Sequence, residues 1–285
     1  MILVSQSVNQ LIGEPPEIQS LEPVITALDL KPLLEQKNPR TRPLLVDARP
    51  FHDYAAGHIP GAVNIDLMQF HWLDTSKKGI KDFNRQSRLL LSNIGVTEGR
   101  PVVFYESISG PSAARGVWLL SYFSHRKVAM LDGGFEKWKS LKFPVETRTN
   151  QFVHSEFKGR IDPRVLATVT EVKSFVSSKR GILIDSRSIE EYTGKVSRAA
   201  RAGHIPGAIN IDWNDNIRDG VFKSRKELQQ LYPFPKDSEV ITYCQGGYRA
   251  ANSFVALKMM GFRRVKMYLG SWGEWGNSAR LPVDV

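Results

Sequence analysis

Four stretches of this chain occur twice, in the same order and at nearly the same separation. That duplication limits the possible folds more than any other feature. Leu44-Leu45-Val46-Asp47-Ala48-Arg49 returns as Ile182-Leu183-Ile184-Asp185-Ser186-Arg187. Gly57-His58-Ile59-Pro60-Gly61-Ala62 returns as Gly203-His204-Ile205-Pro206-Gly207-Ala208. Val102-Val103-Phe104-Tyr105-Glu106 matches Val240-Ile241-Thr242-Tyr243-Cys244, and Leu131 to Trp138 matches Tyr268 to Trp275. Asp47 and Asp185 lie 138 positions apart, as do Glu106 and Cys244, while Gly133 and Gly270 lie 137 apart. Solenoid units run to only about 20–50 residues, so a period this long marks a duplicated domain.

Within each unit, short runs rich in β-branched residues alternate with amphipathic stretches. Helices are expected over 24–36, 85–94, 113–123 and 250–260. Alternating strand and helix predicts an α/β fold in each half, a parallel sheet flanked by helices on both faces. The domains fall at 1–150 and 160–285, with a polar linker over 145–160. Ligands of such sheets bind at the carboxyl ends of the strands.

Features common to both halves are economically structural. His58 and His204 belong to a Pro/Gly turn present in each unit, and Asp47 and Asp185 are expected to brace nearby backbone or the following Arg. The differences carry the chemistry. The second unit has Cys244, the single cysteine of the chain, where the first has Glu106. It also has eight extra residues between its Asp and His, a basic segment containing Lys195, Arg198 and Arg201. Cys244 ends an apolar strand and is followed by Gln245-Gly246-Gly247-Tyr248-Arg249 and then a helical pattern. Glycines bring backbone N–H groups close to the sulfur, the helix N-terminus favours negative charge, and Arg249 adds a full positive one. Such a setting commonly lowers a thiol pKa from about 8.5, so a reactive thiolate is expected. The first unit, with a carboxylate in place of a thiol, is expected to support rather than react.

One cysteine excludes an internal disulfide and a multi-cysteine zinc site, and no metal is expected. The net charge of +10 comes from scattered residues without a dense basic run, so nucleic acid is not expected; a small anionic substrate accounts for it more simply, and a solvated surface more simply still. No stretch has the length of a membrane span. Residues 1–10 carry no Lys or Arg beside a very short apolar run, so no leader and a cytoplasmic location are expected.

The Asp-x-Arg strand end and Gly-His-Ile-Pro-Gly-Ala turn of both halves, the Cys244 loop and the closing Gly270-Ser271-Trp272-Gly273-Glu274-Trp275-Gly276-Asn277 stretch resemble the tandem-domain rhodaneses, or sulfurtransferases, over nearly the whole chain. The resemblance implies two rhodanese-like domains, the first inactive and the second catalytic. It implies transfer of sulfane sulfur from thiosulfate to a thiophilic acceptor such as cyanide or a thiol, through a Cys244 persulfide and without a cofactor. On that basis the loop amides of Gln245, Gly246, Gly247 and Tyr248 would stabilise the persulfide. Arg187 and Arg249 would hold the sulfonate, and Lys195, Arg198 and Arg201 would sit farther out. Two related activities stay open: a 3-mercaptopyruvate sulfurtransferase, whose loops resemble Cys-Gly-Ser-Gly, and a persulfide carrier serving a partner protein. A phosphatase of the related Cys-loop type would need Arg six positions after the cysteine, where Ala250 stands.

Overall fold

The computed structural model describes residues 21–38, 40–178 and 180–285. The expectation about residues 1–10 lies outside them. The first unit holds five strands: β1 (Val24–Ile25), β2 (Leu44–Asp47), β3 (Val63–Asn64), β4 (Val102–Tyr105) and β5 (Val128–Leu131). They pair in the order β1-β5-β4-β2-β3, every pair parallel. The second unit repeats this with β6 (Leu166–Ala167), β7 (Ile182–Asp185), β8 (Ile209–Asn210), β11 (Glu239–Tyr243) and β12 (Arg264–Tyr268), ordered β6-β12-β11-β7-β8. Between β8 and β11 it adds a short antiparallel pair, β9 (Ile217–Arg218) and β10 (Val221–Phe222). The central strands β2, β4 and β5 are buried throughout, as the uniformly apolar runs of a sheet covered on both faces require.

The helices of the first unit are α1 (Ala27–Leu34), α2 (Phe51–Ala56), α3 (Lys77–Asn93), α4 (Pro111–Tyr122) and α5 (Gly134–Ser140). Those of the second are α6 (Val169–Ser178), α7 (Ile189–Tyr192), α8 (Arg225–Leu231), α9 (Tyr248–Met259) and α10 (Ser271–Trp275). The expected helix over 24–36 is shorter than read, because Val24 and Ile25 pair with Met130 and Leu131 as an edge strand and the Thr26 side chain caps α1. The expected helix over 85–94 is the second half of the longer α3.

The two units share one core. Nearly every side chain of α4 and α9 is buried, and the two helices pack against each other. Ala113, Ala114, Val117 and Trp118 join Ala250, Ala251, Phe254 and Val255 in one apolar cluster, while the outer sheet faces carry a separate cluster in each unit. A helix apolar on all sides is one meant for burial on all sides, and α4 and α9 each lie between their own sheet and the other unit. Polar bonds pin the contact: Asn252 donates to the Ser109 carbonyl at 2.8 Å, and Thr75 donates to both carboxylate oxygens of Glu274 at 2.8 and 2.6 Å. Residues 145–160 stay with the first unit. Ser155 N–H donates to the Ser92 carbonyl at 3.0 Å, and the Phe157 ring is buried.

The repeated motifs repeat their hydrogen bonds. The Tyr105 hydroxyl accepts from Ile59 N–H and that of Tyr243 from Ile205 N–H, both at 3.1 Å. The His58 and His204 rings stack on Tyr54 and Tyr192, each at 3.7 Å, and each meets the tyrosine's own carbonyl through Nδ1. The same device is present in both units, with and without the thiol, and holds the turn in each.

Candidate active site

Cys244 sits just past the end of β11, and α9 starts four residues later. The thiol is buried, and the Gly247 N–H donates to its Sγ at 3.1 Å. That geometry needs Gly247, whose φ of 85° lies in the left-handed region. The Cβ of any other residue there would come 2.9 Å from Nη1 of Arg115. Two further bonds fix the loop floor: Cys244 N–H donates to the Ser271 hydroxyl at 3.2 Å, and the Cys244 carbonyl accepts from Trp272 N–H at 2.8 Å. The sulfur therefore meets the Gly247 amide at the N-terminus of a largely buried twelve-residue helix, a setting that favours an anion there.

The first unit has the same cradle and fills it. One carboxylate oxygen of Glu106 accepts from the N–H groups of Ser112 and Ala113, at 2.6 and 3.1 Å, in the first turn of α4. Burial pushes the Glu106 acid up to about 7, against the pull of those two amides. An internal carboxylate thus occupies the place where the second unit presents a thiol.

The arginines divide sharply. Arg249 reaches into the loop but is clamped by Glu191 of α7, at 2.5 and 3.0 Å to the two carboxylate oxygens. Burial works to lower the Arg249 pKa, yet the bonds to Glu191 prevail and raise it, while Glu191 is held low. Arg187 is held by Asp185, one of the two partners expected of that carboxylate. Its guanidinium is buried, chelates Asp185 with contacts of 2.6 to 3.0 Å, and donates to the Gly203 carbonyl at 2.8 Å. Arg49 does the same with Asp47 and the Gly57 carbonyl in the unit without a thiol. Arg187 is therefore braced by Asp185 through Nε and Nη2, which leaves Nη1 as the one nitrogen of its fork able to meet a sulfonate.

Arg201 is also structural. It is half-buried and ties the carbonyls of Trp275, Gly276, Ser278 and Leu281 together behind α10. Arg198 is exposed, with Nε 3.9 Å from Glu191, and its carbonyl accepts from the Gln245 side chain at 3.1 Å. Lys195 is exposed, its charge bearing on Glu190. Tyr248 contributes its backbone to the loop, while its hydroxyl crosses to the first unit and donates to the carbonyls of Leu67 (2.5 Å) and Phe70 (2.9 Å). Burial pushes that phenol up to about 12.

The second unit alone does not complete the site. A Cβ on Gly246 would stand 3.6 Å from Nδ1 of His71 and 3.8 Å from Leu73, so the first unit forms the rim over the loop. Sequence reading missed His71, Leu73, Glu191, Ser271 and Arg115. Arg115 alone left a signal, as a charge in the middle of the otherwise apolar α4. Among the described residues no three His, Cys, Asp or Glu side chains gather as metal ligands would, and no helix is long and apolar enough to cross a membrane.

The model of the rhodanese-like domain matches the chain twice, over residues 26–141 and 168–278. The chain is 33% identical to the sulfur carrier protein TtuD of Thermus thermophilus, covering 87% of this chain and 92% of that one. It is 35% identical to a thiosulfate sulfurtransferase of Corynebacterium glutamicum, covering 81% of each. Among solved structures, SseA from Escherichia coli, described as a 3-mercaptopyruvate sulfotransferase, superposes with a TM-score of 0.76 at 26% identity, over 88% of this chain and 99% of that one.

Proposed function

The chain belongs to the rhodanese-like family, and on that premise we propose that it is a sulfurtransferase taking its sulfur from thiosulfate. The Cys244 thiolate attacks the outer sulfur of thiosulfate. A new S–S bond forms, the bond to the sulfonate sulfur breaks, and its electron pair leaves with sulfite. The transferred sulfur keeps the negative charge as a persulfide. Cyanide or a thiolate then bonds that outer sulfur, and the Cys244–sulfur bond electrons return to the thiolate, closing a two-step cycle. Loop amides from Gln245 to Arg249 support the charged sulfur in both steps, as an oxyanion hole supports oxygen.

One observation carries this reading: the buried Cys244 sulfur already accepts the Gly247 N–H at the start of α9, in a cradle shaped for a single anionic atom. The confined thiol also favours small donors and acceptors over delivery to a folded partner. Thiosulfate, a compact dianion with its charge beside the sulfur that moves, needs cations close to Cys244, and Arg249 is within the loop. Mercaptopyruvate places its carboxylate farther from its sulfur. The test is a paired measurement of kcat/KM with the two donors on purified protein and cyanide as acceptor. Thiosulfate should be the faster, and a higher value for mercaptopyruvate would overturn the donor while leaving Cys244 as nucleophile.

A further inference from the structure

We infer that Arg115, carried by the first unit, supplies the positive charge that faces the Cys244 sulfur across the interface between the units. Arg115 projects from the middle of α4, and its side chain is fully enclosed. Its Nε and Nη2 have no hydrogen-bond partner, and Nη1 has only the thioether of Met267, at 3.8 Å. The guanidinium lies over the rings of Trp118 (4.4 Å) and Tyr248 (5.3 Å), one from each unit. Its Nη1 stands where a Cβ on Gly247 would be, and Gly247 is the residue whose N–H holds the sulfur.

The other guanidiniums around the loop each hold a carboxylate, Arg187 that of Asp185 and Arg249 that of Glu191, and of these two the Arg249 charge also acts on Cys244. Arg115 has no carboxylate. The ionisable groups whose charge acts on it are Tyr248 and Cys244, both from the second unit. Burial lowers the Arg115 pKa to about 10, so it stays a cation at neutral pH. Tyr248, pushed up to about 12 by burial and bonded to two carbonyls, stays neutral. Aromatic faces and a thioether ease the desolvation of a cation only in part. Cys244 remains as the one neighbour able to become an anion, as thiolate and then as persulfide. The remaining titratable group at the loop, His71, is exposed on the rim.

The arrangement is one-sided. The position of α9 matching Arg115 is Ser253, a small residue whose hydroxyl bonds Ser186 at 2.9 Å. The first unit thus lends a charge across the interface to the unit that carries the thiol, a form of the support expected of it. Arg115 is a positioning residue. It acts on the nucleophile and the product persulfide through the enclosed space between them, where screening by salt is weak.

The inference rests on Cys244 being the nucleophile, and Cys244→Ser tests that separately through loss of turnover. For Arg115 the variants are Arg115→Met and Arg115→Lys in the full chain. The readouts are melting temperature and the rate of alkylation of Cys244 by iodoacetamide, a neutral probe, from pH 6 to 10. Replacing an unpaired buried charge with an apolar side chain of similar length is often neutral or stabilising, so Arg115→Met should melt no lower than the parent. Its alkylation at pH 7 should nevertheless be at least about tenfold slower, with the pH profile displaced upward, since one unit of displacement is tenfold. Arg115→Lys should keep most of the parent rate. A coincident pH profile in Arg115→Met would overturn the inference. If Arg115→Met proves too unstable to assay, a profile for Arg115→Lys far from the parent's at unchanged melting temperature would overturn it equally, whereas a near-parental one would support it.

Discussion

Glu106 stands in the first unit where Cys244 stands in the second, and changing it to Gln should stabilise the protein in a pH-dependent way. The ordinary carboxyl value is 4.5 and burial raises Glu106 to about 7. Between those values the native state holds a proton that the unfolded chain has released. Stability contributed by this group is therefore complete below about pH 4.5, declines as pH rises, and is fully lost above about pH 7. A displacement of roughly 2.5 units corresponds to about 3 kcal/mol at most, and solvent reaching the partly exposed carboxyl reduces it to about 1–3 kcal/mol. Glutamine keeps an oxygen to accept from Ser112 and Ala113 but has nothing to ionise. Glu106→Gln should therefore match the parent near pH 4.5 and outlast it by about 1–3 kcal/mol at pH 8, or roughly 2–6 °C in melting temperature. The assay is thermal unfolding of both proteins at half-unit steps from pH 4.5 to 8.5, with turnover measured alongside. Turnover should stay within a few-fold, since no nucleophile is touched. A stability difference that stays flat across the series, or that favours the parent at high pH, would refute the reasoning.

Two other changes probe the loop. Arg249→Ala should lower kcat/KM for thiosulfate at least tenfold, because a charge-assisted hydrogen bond to an oxyanion is worth about 1.5–3 kcal/mol. Removal of sulfur from the preformed persulfide by a neutral thiol should suffer much less, and equal losses in both half-reactions would mean that Arg249 only shapes the loop through Glu191. Gly247→Ala forces an alanine to φ 85° and drives its Cβ against Arg115. It should cost about 1–2 kcal/mol in urea unfolding and slow sulfur loading, and a variant as stable and as fast as the parent would contradict the loop geometry.

The duplicated unit, the alternation of strand and helix around a parallel sheet and the place of Cys244 between a strand end and a helix start were all legible in the sequence. Each is written locally, in short apolar runs, glycines and one substituted position. Side chains outside those patterns were harder to place, and for local reasons. Arg187 ends a strand beside the thiol, yet most of its fork folds back on a carboxylate two residues away, as that of Arg49 does in the first unit. Arg201 belongs to the second unit's extra residues, where no repeat was available to warn that it serves backbone carbonyls. Glu191, His71, Leu73 and Arg115 could not be placed because their nearness to the loop depends on α7 folding under it and on α4 packing against α9. Neither arrangement follows from spacing along the chain.

The central claim is that sulfur travels on Cys244 alone, and intact-mass spectrometry of the full chain tests it most directly. Incubation with thiosulfate should add one sulfur atom per chain, cyanide should remove it with release of thiocyanate, and Cys244→Ser should show neither change. A sulfur adduct on the serine variant, or turnover by it, would contradict the account.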